Sequence, residues 1–408
     1  MKVWLIGIGE PLVIDGENVR LRRLGNLAEY LSRQGHDVHY FSSSFDHYRK
    51  KQRVDQNSVF KVNDNYFLHV AKVAGYKSNV SISRIKSHKD SARIVRKMMD
   101  AGEKPDIILC GNTPLEMAKQ VALYGKKERV QTIVDMRDLW PDAYLDVIPK
   151  KLEKIGRLYV WICRHDFKNT IKKFDSIIGV SQQVVDYGLN LAERKMGKKD
   201  KAIPIGYPDY PYNVPKIEFE NKWSEFELTA SDKIVAFTGN FGRQFDFKAV
   251  IDAAKILEKD DIKFVLCGTG ENRENIKRTC GDNVIFPGWI EKDMITSLLQ
   301  YSNIGLAPYI DSIGYHMNTP NKFGEYLSAG LPILVSVGGV MEDLLKEYKC
   351  GYRYIDAEDL ARKIKMLCFL PTNEVHQNAR ALYEKMFQID KVNKMFLEHF
   401  DFLLELEK

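Results

Sequence analysis

The chain has 408 residues, 44% of them hydrophobic and 28% charged, with 27 Gly and 14 Pro. That length predicts two domains, and the near-average apolar and charged fractions exclude wholesale disorder, collagen and a small disulfide scaffold. The net charge of +6 hides an asymmetry: residues 1–205 carry 37 Lys and Arg against 24 Asp and Glu, whereas 206–408 carry 24 against 31. The basic half is expected to face a pyrophosphate, an anionic lipid surface or nucleic acid, or to be a solvated Lys-rich surface. Six scattered cysteines form no C-x-x-C pair. This argues against a disulfide framework or a zinc ribbon and suits a reducing cytoplasm.

The opening MKVWLIGIGE reads as a buried first strand over 3–8, not a cleaved leader. A helix follows near 18–34, with Val19, Leu24, Leu27, Tyr30 and Leu31 close to one face and Gly35 ending it. Strands are predicted at 38–43, 106–111, 130–136 and 176–181, with a helix at 114–123. This alternation implies an α/β fold with a doubly wound parallel sheet. Four prolines in PIGYPDYPYNVP, 204–215, mark an inter-domain linker. A second series then follows, with strands at 233–239, 263–268, 283–288, 304–309 and 332–337. Its helices fall near 247–258, 270–279, 291–301 and 321–329. The last forty residues read as helix, with Asp390 as N-cap and Val392, Met395, Phe396, Phe400 and Leu403 as its apolar stripe. The longest uncharged stretch of interest, 327–341, is short and broken by Gly and Pro, so no transmembrane helix is expected.

Ligands of open α/β sheets bind beyond the carboxyl ends of strands. GIGEPL at 7–12 fails as a dinucleotide fingerprint, because Leu12 stands at the third Gly position and Ser42-Ser43-Ser44 lacks a ribose-binding acid. In FTGNFGRQFDFK, Arg243 and Lys248 are five apart after a strand and a glycine loop. They are either solvated surface cations or a pair that neutralises a departing diphosphate. In MNTPNKFGEYLSAGLP, Thr319 and Pro320 read as a helix start with Pro at the first helical position, its N–H groups around Asn321 and Lys322 suiting phosphate. Glu325 lies about one turn on, where a carboxylate can take ribose hydroxyls. Its small, apolar surroundings point to a buried, paired role, and Gly330 closes the helix. No D-x-D occurs, and Asp135 with Asp138 gives only D-x-x-D. No metal and no cofactor are therefore expected, with cations and helix dipole in the metal's place.

Together IGIGEPL, GHDVHYFSS, VDMRDLWPD (134–142), DSIIGVS, FTGNFGRQFDFK, VLCGTGE (265–271), FPGWIEKDM (286–294) and PNKFGEYLSAGLPI resemble the GT-B-fold retaining glycosyltransferases of family 4, or glycosyltransferase group 1. RDLWPD and PNKFGEYLSAGLP are similar to bacterial O-antigen and capsule transferases of the N-acetylfucosamine type. The resemblance implies two Rossmann-like domains facing a cleft: 1–204 for the acceptor, 205–385 for the nucleotide-sugar donor, and a C-terminal helix, 386–408, returning to the first. It implies that Arg243 and Lys248 grip the donor diphosphate and that Glu325 binds the ribose. Thr319, Asn321 and Lys322 would meet the phosphates. Gly9, Gly239, Gly268 and Gly270 would line the donor, and the backbone at Trp289 and Ile290 would read the base. Asp138 falls near the reacting sugar. Arg137, at the family's histidine position, and Glu10 fall on the acceptor side. Met317 departs from the pattern, standing where the family's first Glu of E-x7-E contacts sugar hydroxyls.

The implied reaction moves a UDP-activated sugar, with retention and without metal, onto a lipid-linked or oligosaccharide acceptor in bacterial surface polysaccharide synthesis. A UDP-sugar 2-epimerase of similar fold and a non-catalytic partner subunit are the alternatives. The expected location is cytoplasmic, peripheral at the inner face of the membrane. The expected anionic-surface contacts are loops bearing Arg20, Arg22, Arg23, residues 47–53, Lys72, Lys77, Arg84, Lys86, Lys89, Arg93, Arg96 and Lys97. Phe45, Tyr48, Tyr76, Val80, Ile82 and Ile85 are interleaved among them. No nucleic-acid-binding pattern is present.

Overall fold

The computed structural model describes all residues except 17–18, 79–80, 146–147, 149–152, 372 and 407–408. Val80 thus lies outside the described residues. The chain divides into two compact units, Met1–Pro204 with Val392–Lys408, and Ile205–Lys391.

The strands of the first unit are β1 (Lys2–Ile6), β2 (Asp37–Ser43), β3 (Phe45–Asp46), β4 (Lys51–Gln52), β5 (Ser58–Asn63), β6 (Tyr66–Ala71), β7 (Ile107–Gly111), β8 (Gln131–Met136), β9 (Ser176–Gly179) and β10 (Lys201–Ala202). Eight of them form one sheet in the order β10-β9-β8-β7-β1-β2-β6-β5; β3 and β4 make a separate hairpin. Every pairing in the large sheet is parallel except β5 with β6. Strands β7 and β8 are buried at every position, which is why they read as unbroken apolar runs. The order turns between β1 and β7, so their carboxyl ends flank the crevice of this sheet.

The first helix is shorter than expected, Arg23–Arg33, and Gly35 at φ +82° follows its last turn. The basic stretch expected as loops is largely regular: 82–101 is a helix whose first turn is capped by the Ser81 hydroxyl, which accepts from the Arg84 N–H. Arg53 is not a surface cation either. It is buried against Asp15, at 2.6 and 2.8 Å. The C-terminal helix, Ile389–Glu405, completes this unit. Val392, Phe396, Phe400 and Leu403 insert into one core with Leu27, Tyr40 and Leu109. Asp390 lies in its first turn rather than capping it.

The second unit holds β11 (Lys233–Thr238), β12 (Ile262–Cys267), β13 (Val284–Gly288), β14 (Ile304–Ala307), β15 (Ile333–Val335) and β16 (Gly351–Arg353). They form a wholly parallel sheet in the order β13-β12-β11-β14-β15-β16. This is the 3-2-1-4-5-6 order of a doubly wound nucleotide-binding fold, with its switch point between β11 and β14. The segment expected as a linker is fastened into this unit. Tyr207 is buried, its N–H donates to Phe387 O (2.7 Å) and its carbonyl accepts from Ile389 N (3.1 Å).

Candidate functional site

In the second unit the loops after β11, β12 and β14 join into one rim at the switch point. Phe241 N donates to Thr269 O (2.8 Å), Asp246 N to Pro308 O (2.8 Å) and Ile310 N to Gln244 O (3.0 Å). Gly268 is needed here: at φ +131° its Cα faces the Gly239 carbonyl so closely that a Cβ would lie 1.7 Å from that oxygen. Gly239 and Gly270 belong to the same contact, since a Cβ at Gly270 would lie 2.3 Å from Asn240 Oδ1.

Beneath this rim runs the helix Asn321–Ser328, buried from Lys322 to Ser328. Pro320 is its N-cap, one position earlier than expected, and Gly330 follows its end at φ +68°. The Glu325 carboxylate, 5% exposed, accepts from the Tyr207 hydroxyl (2.6 Å) and the Thr238 hydroxyl (2.8 Å). The buried Lys322 ammonium sits 4.2 Å from the Phe237 ring centre, with Phe245 and Tyr326 at 5.4 and 5.7 Å. It approaches the chain so nearly that a Cβ at Gly239 would lie 2.6 Å from it. Thr319 is buried just before the helix, and among the described residues its hydroxyl has no hydrogen-bond partner. An unpaired buried hydroxyl beside a helix N-terminus and a lysine is chemistry suited to an anion.

Arg243 and Lys248 stand apart from this buried set. Their side chains are 88% and 84% exposed, and they pair with Glu271 (2.9 Å) and Asp252 (3.2 Å). Arg243 lies on the rim, whereas Lys248 opens the helix Lys248–Ile256. Trp289 and Ile290 follow β13. The Trp289 ring is exposed, while Ile290 packs on the core. Met317 follows the short helix Ile313–His316, and the His316 ring meets Asp311 at 2.5 Å. Tyr207 and Thr238 were missed in the sequence. Tyr207 was hidden in a proline-rich stretch, and Thr238 had no signal beyond ending a strand.

In the first unit the crevice residues form an ion-pair network. Glu10, buried after β1, accepts from Leu24 N (3.0 Å) and pairs with Arg137. Arg137 donates to Asp135 (2.8 Å), and Arg23 donates to both oxygens of that carboxylate (2.8 and 2.9 Å). Burial alone would raise the Asp135 pKa, but the two guanidiniums outweigh it and hold it below the usual range. Partial burial likewise opposes the Arg137 charge, yet Glu10 and Asp135 raise its pKa. Asp138 is exposed at the mouth, its carbonyl accepting from Asn112 Nδ2 (3.0 Å), and Gly9 takes φ +85°. The structure thus brings Glu10, Arg137 and Asp138 to the end of one sheet, with Arg23 and Asn112 added. Among the described residues no group of three His, Cys, Asp or Glu side chains could hold a metal.

Residues 232–368 match the family described as Glycosyl transferases group 1. An uncharacterized glycosyltransferase of Methanocaldococcus jannaschii is 28% identical over 127 residues, a stretch spanning 28% of this chain and 30% of that protein. The chitobiosyldiphosphodolichol beta-mannosyltransferase of Kluyveromyces lactis is 22% identical over 341 residues, 78% of this chain and 74% of that protein. Among solved structures, sucrose-phosphate synthase from Thermosynechococcus elongatus superposes with a TM-score of 0.73 at 17% identity, over 99% of each chain. HepE from Anabaena, in complex with UDP, gives 0.65 at 13% identity, over 97% of this chain and 98% of that one. The fold is that of the GT-B glycosyltransferases. Together with the match at 232–368, it supports the glycosyltransferase class for this chain.

Proposed function

We propose that the protein transfers a sugar from a UDP-sugar to a lipid-linked or oligosaccharide acceptor, with retention and without a metal ion. The observation that carries this reading is the burial of both Lys322 and Glu325 at the switch point of a 3-2-1-4-5-6 sheet, beside a Thr319 hydroxyl that has no hydrogen-bond partner among the described residues. Phosphate oxygens would meet Thr319, Lys322 and the amides at Asn321. The ribose would lie at Glu325, whose carboxylate Tyr207 and Thr238 hold in place. The exposed Arg243 and Lys248 need only exchange a surface carboxylate for the diphosphate to stabilise its departure. The acceptor hydroxyl would attack the face the diphosphate leaves, with a phosphate oxygen taking its proton. UDP bound to HepE, a protein of the same fold, favours the uridine nucleotide.

Glu10, Arg137 and Asp138 are the proposed acceptor-side groups. Met317 cannot accept a hydrogen bond from a sugar 3- or 4-hydroxyl, which favours a 6-deoxy N-acetylhexosamine donor, while the likeness of RDLWPD and PNKFGEYLSAGLP to O-antigen and capsule transferases favours a role in bacterial surface polysaccharide synthesis. The test is UDP release across a nucleotide-sugar panel, with and without EDTA. Glu325→Ala and Lys248→Ala are each expected to cost about 2–4 kcal/mol of transition-state stabilisation. A preference for UDP-glucose defeats the reading of Met317. Activity lost in EDTA defeats metal independence, and an epimerised free sugar defeats transfer itself.

A further inference from the structure

The helix Glu153–Ile171 of the first unit has two apolar stripes where a surface helix ordinarily has one. Gly156, Val160, Phe167, Thr170 and Ile171 face inward. A second stripe, Ile155, Leu158, Tyr159 and Ile162, repeats at i, i+3, i+4 and i+7 and is open to solvent, with Trp161 at its margin. Ile155 is 69% exposed and Trp161 65%. Clustered large apolar side chains of this kind mark a contact surface, unlike the scattered ones any protein shows.

The stripe sits on a fixed element. Asp166 pairs with Lys119 (2.6 Å), Arg164 with Asp142 (2.6 Å) and Lys168 with Glu193 (2.5 Å). Its inner edge continues as an aromatic ladder, Tyr159 on Tyr144 (5.5 Å) and Tyr144 on Trp140 (4.4 Å), which ends two residues from Asp138. Its surroundings are basic. Lys154 is exposed on the same helix, as is Arg157, which pairs with the exposed Glu153 at 2.7 Å. The helix Ile82–Ala101 belongs to the same layer, packing on Leu115–Glu128, which in turn packs on Glu153–Ile171. It carries six basic residues against two acidic, with Lys86, Lys89, Arg93 and Lys97 exposed.

We propose that this stripe seats the first unit on an anionic lipid surface. Ile155, Leu158, Trp161 and Ile162 enter the headgroup boundary while the flanking cations meet lipid phosphates. Apolar burial joined to electrostatic attraction is the physics of interfacial helices, and an indole suits that boundary. The inference deepens the reading of a lipid-linked acceptor by naming the element that brings the protein to it.

The test is co-sedimentation of the full chain with phosphatidylcholine vesicles, with and without phosphatidylglycerol, at low and high salt. Wild-type protein is expected to pellet with the anionic vesicles and less so at high salt. The triple variant Leu158→Gln/Trp161→Gln/Ile162→Gln is expected to lose binding about ten-fold, with its melting temperature and UDP affinity unchanged. Lys86→Glu/Lys89→Glu, away from the stripe, is expected to weaken it too. Wild-type protein that ignores anionic vesicles, or a triple variant that pellets like it, overturns the proposal. So does a dimer that forms without vesicles, covers the stripe and is dissolved by the triple variant. Vesicle binding without any UDP binding would instead sink the proposed donor site and leave the lipid contact standing.

Discussion

At the scale of single residues, the donor-side assignment rests on contacts with little slack. Gly268→Ala puts a methyl group against the Gly239 carbonyl in a left-handed backbone, so neither atom can yield cheaply. We expect it to destabilise the second unit by at least about 3 kcal/mol and to abolish UDP binding, measured by calorimetry. Tyr207→Phe removes a hydroxyl that donates to a buried carboxylate, and should cost about 1.5–3 kcal/mol in UDP affinity or in stability. In the first unit, Asp135→Asn leaves Arg23 and Arg137 without their shared counter-charge. Thermal melting should register a loss of about 3–5 kcal/mol. Glu325 was legible because a lone acid in FGEYLSAGLP has nowhere polar to go. Tyr207 was not, because proline spacing reports where a chain turns and says nothing about which ring it buries.

Elements were legible in proportion to how cleanly their apolar period shows. Strands β11 to β15 announce themselves as short apolar runs between Gly and Pro. The helix 82–101 did not, because its inward face is built from Ser87, Ser91 and Ala92 as well as Val95 and Met99. Small polar residues erase the 3.6-residue signal, and the cations around them read as loop. In the helix Glu153–Ile171 the second apolar stripe blurs the first. The C-terminal helix carries a pH-dependent anchor: buried His399 meets Ser176 Oγ at 3.0 Å, and burial, helped by Lys201, pushes its pKa down to about 4. A histidine kept neutral in the folded state contributes stability that is present above its unfolded pKa and is lost as pH falls through the folded value. Between about pH 6.5 and 4 His399 alone should therefore weaken the first unit by up to about 3 kcal/mol, added to the like effect of His47 and His69, whose pKa values burial also lowers to about 4. Denaturant midpoints of the wild type and His399→Gln across that window should converge as the pH falls.

For the molecule as a whole, the chain leaves the first unit at Pro204 and re-enters it at Val392, so the C-terminal helix completes a core whose other buried members all lie at or before Ile203. Ending the chain after Lys391 should open that core around Leu27 and Tyr40. Calorimetry should then show the transition of the first unit falling while that of the second stays in place. Two α/β series were readable from alternation alone; the final helix's place in the first unit rests on long-range packing that no local pattern encodes. One consequence follows from the helix Asn321–Ser328, whose residues are shielded from its second position to its last. Surface drift cannot touch it, and any exchange within it disturbs neighbours on every side. If the proposed donor site is right, divergence toward a new sugar would therefore have to be written in the half-exposed segment 311–318 that precedes it, with the buried helix left as it is.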